Sequence, residues 1–197
     1  MLQHVFGKRD NINIINLDHT LSALRRAINV VRGVAHDDGN ILFVGTRLQS
    51  QRLAIKSALN SDCFYVTKWI GGMITNKDRV LARLGQTDQN KISEINALTV
   101  KEDLTGEAEI LQKDSGIELP DLIILLDYKS NLWAIREANL KKIPIIALID
   151  TDCDPRLVQY PIPGNDDAVS SVELFAGLMS LAAKEGREMK RESERKV

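Results

Sequence analysis

The stretch LPDLIILLDYKSNLWAIREANLKKIPIIALIDTDCDP, residues 119–155, decides the fold. Leu122 to Leu126 is an unbroken apolar run of strand length, closed by Asp127. Ser130 to Leu140 carries a helical pattern, and Ile145 to Ile149 is a second apolar strand after Pro144. Strand, helix and strand in this order form a βαβ unit. Such units build a parallel sheet covered by helices on both faces.

The same alternation extends in both directions. Ile12 to Ile15 reads as a strand. Leu17, Leu21, Leu24, Ile28, Val31 and Ala35 then form one stripe of a helix, with Asp18 as the expected N-cap. The opposite face carries Arg25, Arg26 and Arg32. Asp37 to Asn40 is a turn, Ile41 to Val44 a buried strand, and Gly45-Thr46 leads into a helix holding Leu48, Ile55, Ala58 and Leu59. Phe64 to Val66 is a third short strand. The paired glycines in Trp69-Ile70-Gly71-Gly72-Met73 preclude regular structure there. A helix is expected over 76–84. Residues 85–118 are polar, with Glu102, Asp103, Glu107 and Glu109, and read as a variable connection with a short helix or two. Val158 to Tyr160 is an expected edge strand before Pro161. Asp166 or Asp167 is the expected cap of a last helix with Val169, Val172, Phe175 or Ala176, and Met179 on one face. The expectation is a single α/β domain over 1–186 and a charged tail over 187–197.

Charge narrows the function. The net charge is only −1. Residues 1–100 nevertheless carry 13 basic against 8 acidic side chains, and residues 101–197 carry 13 against 19. This asymmetry fits one face meeting a polyanion. No apolar run approaches the roughly 18 residues of a membrane span, so no membrane partner is expected. Cys63 and Cys153 are isolated and read as reduced thiols rather than zinc ligands. His4, His19 and His36 form no catalytic arrangement with a nucleophile.

Three motifs remain. Gly45-Thr46-Arg47 follows a strand and opens a helix, so it could hold a phosphate. It lacks both the GxGxxG and the GxxxxGK[ST] patterns of nucleotide sites. Asp150-Thr151-Asp152 after an apolar strand is similar to the nucleophile motif of haloacid-dehalogenase-type phosphatases. On that alternative Asp150 attacks phosphorus, Asp152 is acid/base, Mg²⁺ neutralises the site and Asp166 and Asp167 could supply a further metal ligand. The motif normally opens its domain, whereas only 47 residues follow Asp150 here. A turn built by Asp150, Asp152 and Asp154 is the simpler reading. The third motif is basic: Lys68, Trp69, Gly71, Gly72, Thr75, Asn76, Lys77 and Arg79, with Arg83 beyond. Lysine and arginine contact phosphates, hydroxyl and amide groups add hydrogen bonds, and glycines admit a close approach. Trp69 either stacks on a base or anchors the core. Lys8, Arg9, Arg25, Arg26 and Arg47 are further RNA-binding candidates.

Six segments together resemble the bacterial-type small-subunit ribosomal protein two family. They are FGKRDNINIINLDHTL (6–21), ILFVGTR (41–47), YVTKWIGGMITN (65–76), LPDLIILLD (119–127), REANLKKIPIIALIDTDCDP (136–155) and YPIPGNDDAVSS (160–171). The resemblance implies a flavodoxin-like doubly wound sheet and no enzymatic activity, cofactor, metal or small-molecule substrate. It implies binding to small-subunit ribosomal RNA and neighbouring ribosomal proteins between head and body. Asp150-Thr151-Asp152 then matches a family turn. Three departures stand out. The family's opening Gly-x-x-Phe-Gly-His and Trp-Asn-Pro segment is absent, so truncation is expected. Residues 85–118 are too short for the family's full helical hairpin. Lys68 replaces the usual arginine, keeping the charge without bidentate geometry. A mitochondrial ribosome is the expected location, with bacterial cytoplasm or plastid as alternatives. The acidic strand-end edge, Asp127, Asp150, Asp152 and Asp154, is expected to face solvent, protein or Mg²⁺, with most RNA contacts in the basic half.

Overall fold

A computed structural model describes residues 1–77 and 119–195. The expected helix over 76–84, the connection over 85–118 and Arg79 lie largely or wholly outside the described residues. Two strands, β1 (Val5–Arg9) and β2 (Ile12–Ile15), form an antiparallel hairpin. The sequence reading missed β1. Its turn residues Asp10 and Asn11 both have positive φ, 49° and 64°, which suits a tight hairpin turn. Helix α1 (Leu17–His36) follows. Its N-cap is Asn16 and not Asp18: the Asn16 side chain accepts from Asp18 N at 3.0 Å. Asp18 sits inside the first turn, where its charge still complements the helix dipole.

The central sheet contains β3 (Ile41–Val44), β4 (Phe64–Val66), β5 (Leu122–Leu125), β6 (Ile145–Ile149) and β7 (Tyr160–Pro163). Its order is β4-β3-β5-β6-β7, and every neighbouring pair is parallel. Counted among themselves the strands run 2-1-3-4-5, the flavodoxin-like order. Strands β3, β5 and β6 are fully buried, which accounts for their apolar runs. The last strand includes Pro161 and Pro163 and was expected to stop before them. It lies at the sheet edge, where a missing N–H removes few ladder bonds.

Helices α1, α2 (Leu48–Ser61) and α4 (Val169–Glu194) cover one face. Their core is built on Ile41, Phe43, Leu122, Ile124, Leu126, Ile146, Leu148 and Ile162. Helix α3 (Leu132–Leu140) covers the other face, packing Ile135 and Ala138 on Leu42, Val44, Ile123, Leu125, Ile145 and Ile149. The period-2 alternation of each strand divides the two clusters. Neither Asp166 nor Asp167 caps α4: its N-cap is Ala168, with no side-chain bond. Asn165 turns the chain instead, accepting from Asp167 N and Ala168 N. The expected tail boundary at residue 186 falls inside α4. There Arg187 donates to the Ser61 and Asp62 carbonyls, and Lys190 pairs with Asp38. Gly186 is where α4 meets α1, since a Cβ on it would lie 2.4 Å from the Arg32 carbonyl oxygen.

Candidate nucleic-acid interface

In this sheet order the ligand crevice opens beyond the strand ends, where β3 and β5 diverge. Strand β3 delivers Gly45-Thr46-Arg47 to that point, and β5 delivers Asp127. The turn needs glycine, because a Cβ on Gly45 would lie 2.6 Å from the Ser50 carbonyl oxygen of α2. Contrary to the expected exposure of the acidic edge, Asp127 is completely buried. Its carboxylate accepts from Arg47 N at 2.8 Å, Thr46 N at 3.2 Å, Thr46 Oγ1 at 3.1 Å and Asn131 Nδ2 at 2.6 Å. A helix N-terminus that would otherwise attract a phosphate is thus filled by the protein's own anion. Burial pushes the Asp127 carboxyl up, the Arg47 and Thr46 donors pull it back, and it stays above its ordinary range.

Arg47 is also engaged internally. Its guanidinium is 2.9 Å from Asp167 Oδ1 and 3.6 Å from Asp166 Oδ2. The Asp166 carboxylate is buried, and neither oxygen finds a hydrogen-bond donor among the described residues. Burial raises its pKa, opposed by Arg47. Asp150, Asp166 and Asp167 bring one oxygen each within 4.8 Å and are the residues here that could hold a hard cation. Asp152 stands outside this group. It is exposed, pairs with Lys129, and is held below the usual carboxylate range by that partner. Asp154 is brought down to about 2 by Arg156. The two carboxylates of the phosphatase reading therefore do not share one metal-binding cluster.

The basic loop is organised by a residue the sequence reading passed over. Glu137 of α3 is buried and accepts from Trp69 Nε1 at 3.2 Å, Gly72 N at 2.7 Å, Ile74 N at 3.0 Å, Thr75 N at 3.2 Å and Thr75 Oγ1 at 3.2 Å. Burial pushes this carboxyl up, but the Gly72, Ile74, Thr75 and Trp69 donors outweigh it and leave it below its ordinary value of 4.5. Trp69 is half-buried against the second core cluster. In the sequence Glu137 is one charge in an amphipathic helix, 62 to 68 residues beyond these donors, and nothing there marks it as their anchor.

Around the loop Lys68, Thr75 and Asn76 are exposed, and Lys77 is half-buried. Lys8 and Arg9 project from β1, and Arg25 and Arg26 from α1, all exposed. Arg9 pairs with Asp10 at 3.7 Å. Lys8, Arg25, Arg26 and Lys68 have no ion-pair partner among the described residues. Arg32, on the same helix, is bound to Glu185 at 2.6 Å.

Fold and site define a doubly wound α/β protein whose expected ligand crevice is closed from within and whose unpaired cations lie outside it. The description "Ribosomal protein S2" belongs to the family whose sequence pattern matches residues 1–186. The chain belongs to that family. It is 38% identical over 197 residues to "Small ribosomal subunit protein uS2" of Treponema pallidum (strain Nichols), covering 94% of this chain and 68% of the relative. The protein of the same name in Rhizobium leguminosarum bv. trifolii (strain WSM2304) is 39% identical, with 94% and 77% covered. That of Agrobacterium fabrum is 40% identical over the same shares. This chain is accordingly a structural protein of the small ribosomal subunit and not an enzyme.

Proposed function

We propose that the chain binds small-subunit ribosomal RNA and neighbouring ribosomal proteins between head and body, and that it meets RNA chiefly through its basic half. The observation that carries this is the set of exposed, unpaired cations Lys8, Arg25, Arg26 and Lys68 in the first 77 residues. Arg9, Thr75, Asn76, Lys77 and, outside the described residues, Arg79 are further RNA contacts in the proposal. Trp69 and Arg47 contribute by shaping it, since both already have internal partners. Release of condensed counterions should dominate affinity, so binding should weaken as salt rises. The test is anisotropy of the full chain with a labelled small-subunit ribosomal RNA transcript at increasing salt. The expected result is a linear fall of log affinity with log salt, and a much weaker Lys8→Glu/Arg25→Glu/Arg26→Glu variant. A flat salt response contradicts the reading.

A ribosome in a mitochondrion is the compartment proposed first, because residues 85–118 are short for the family's hairpin. The bacterial relatives named above fit a bacterial cytoplasm as well, and a plastid is the remaining alternative. Fractionation of the source cells decides among them.

A further inference from the structure

In the acidic half of the chain the outer side of α3 is a basic surface. Leu132, Trp133, Arg136, Leu140, Lys141 and Lys142 are all exposed there. The helix's one acidic residue, Glu137, is turned inward to the 69–75 loop. Trp133 is 66% exposed, although a buried position is usual for so large an aromatic. Arg136 Cζ lies 5.1 Å from the centre of its ring. The guanidinium steadies one face of the indole and adds positive charge to it. Arg136, Lys141 and Lys142 have no ion-pair partner among the described residues.

A second observation concerns Lys142. It closes the helix with φ 59°, the left-handed conformation that glycine adopts without strain. Among the described residues the other non-glycine positions with positive φ are Asp or Asn, which tolerate it. A lysine at this position retains strain and a cation together. A strained residue kept on an exposed surface points to a role for its side chain.

We infer that Trp133 and Arg136 form a stacking platform for an unpaired RNA base, with Lys141 and Lys142 receiving the adjoining phosphates. This inference rests on the RNA-binding reading above and adds a single-stranded contact outside the basic half. Charge complementarity selects the partner: the surface has three unpaired cations and no exposed acid of its own helix, so it suits a polyanion. The exposed indole selects the strand state, since bases in an A-form duplex are stacked on each other and a loop or bulge presents a free face. Arg136 and Trp133 would continue the stack, cation on ring on base.

The test uses the full chain, a fluorescein-labelled 12-nucleotide single-stranded RNA and a 12-base-pair RNA duplex. Trp133→Ala is expected to weaken single-strand binding about tenfold and leave duplex binding unchanged. Trp133→Phe should keep most of the affinity, and Trp133→Leu should not, which separates stacking from apolar contact. Equal single-strand affinity for wild type and Trp133→Ala overturns the platform. If the Lys8→Glu/Arg25→Glu/Arg26→Glu variant still loses binding in that case, the RNA-binding reading survives without it. A Trp133→Ala protein with unchanged RNA affinities and lost association with purified small subunits also overturns it, making this face a protein contact.

Discussion

Two buried carboxylates, Asp127 and Glu137, hold the loops at the strand ends, and they do so by the same device. Each accepts backbone N–H groups that would otherwise be unpaired. Replacing Glu137 by Gln puts an N–H₂ against a nest of donors. The expected loss is about 3 kcal/mol of stability, read by urea denaturation. Their pH signs are opposite. Glu137 is held below its ordinary 4.5, so its contribution is full above that value and lost as pH falls through the folded pKa. Asp127 is raised, so its contribution falls as pH rises from the ordinary value through the folded one. Trp69 donates to Glu137 and reports on it alone. Its fluorescence in Trp133→Phe protein should change on acidification below pH 4.5, and a flat trace would contradict the anchor. Gly45→Ala should cost about 1–3 kcal/mol, because the new methyl meets helix backbone and not a movable side chain. None of this was legible in the sequence. Asp127 reads there as the end of a strand, and Glu137 as one more charge on a helix surface. Only the fold brings Thr46 and Arg47 to Asp127 across 80 to 81 residues and the loop donors to Glu137 across 62 to 68.

At the scale of elements the sequence was far more informative. The apolar runs of β3, β5 and β6 mark strands because these strands are covered on both sides. Helix α1 was legible from its stripe, though its cap was misplaced by two residues, since Asn16 and Asp18 are both good capping types. Strand β7 was placed too early because proline argues against a central strand, and edge position is invisible before the sheet order is known. The charged stretch from Lys184 was expected either to extend α4 or to fray, because its final turns look purely charged, and it extends the helix to Glu194. In fact Gly186, Arg187 and Lys190 fasten them to α1 and to the turns at Asp38 and Asp62. Gly186→Leu should therefore force α4 away from α1 and lower the melting temperature by several degrees, about 2–4 °C for each kcal/mol lost in a domain of this size. Met189→Leu, on an exposed position of the same helix, should leave it unchanged.

For the whole molecule, a net charge of −1 conceals its functional surfaces. Among the described residues three acids are buried: Asp127 on a helix N-terminus, Glu137 on a loop and Asp166 beside Arg47. Exposed cations without an ion pair lie on β1, α1 and the loop at Lys68, and again along α3. The family resemblance identified the protein, and the structure explains why its crevice is not an active site. The central claim is that this is a small-subunit protein whose basic half meets RNA. Its most direct test is crosslinking of the tagged chain in purified small ribosomal subunits, with crosslinked peptides mapped by mass spectrometry. The account predicts co-purification with the subunit and RNA crosslinks concentrated in residues 1–77, with a lesser set on α3. A chain absent from the subunits, or crosslinked to RNA mainly through residues 145–167, would contradict it.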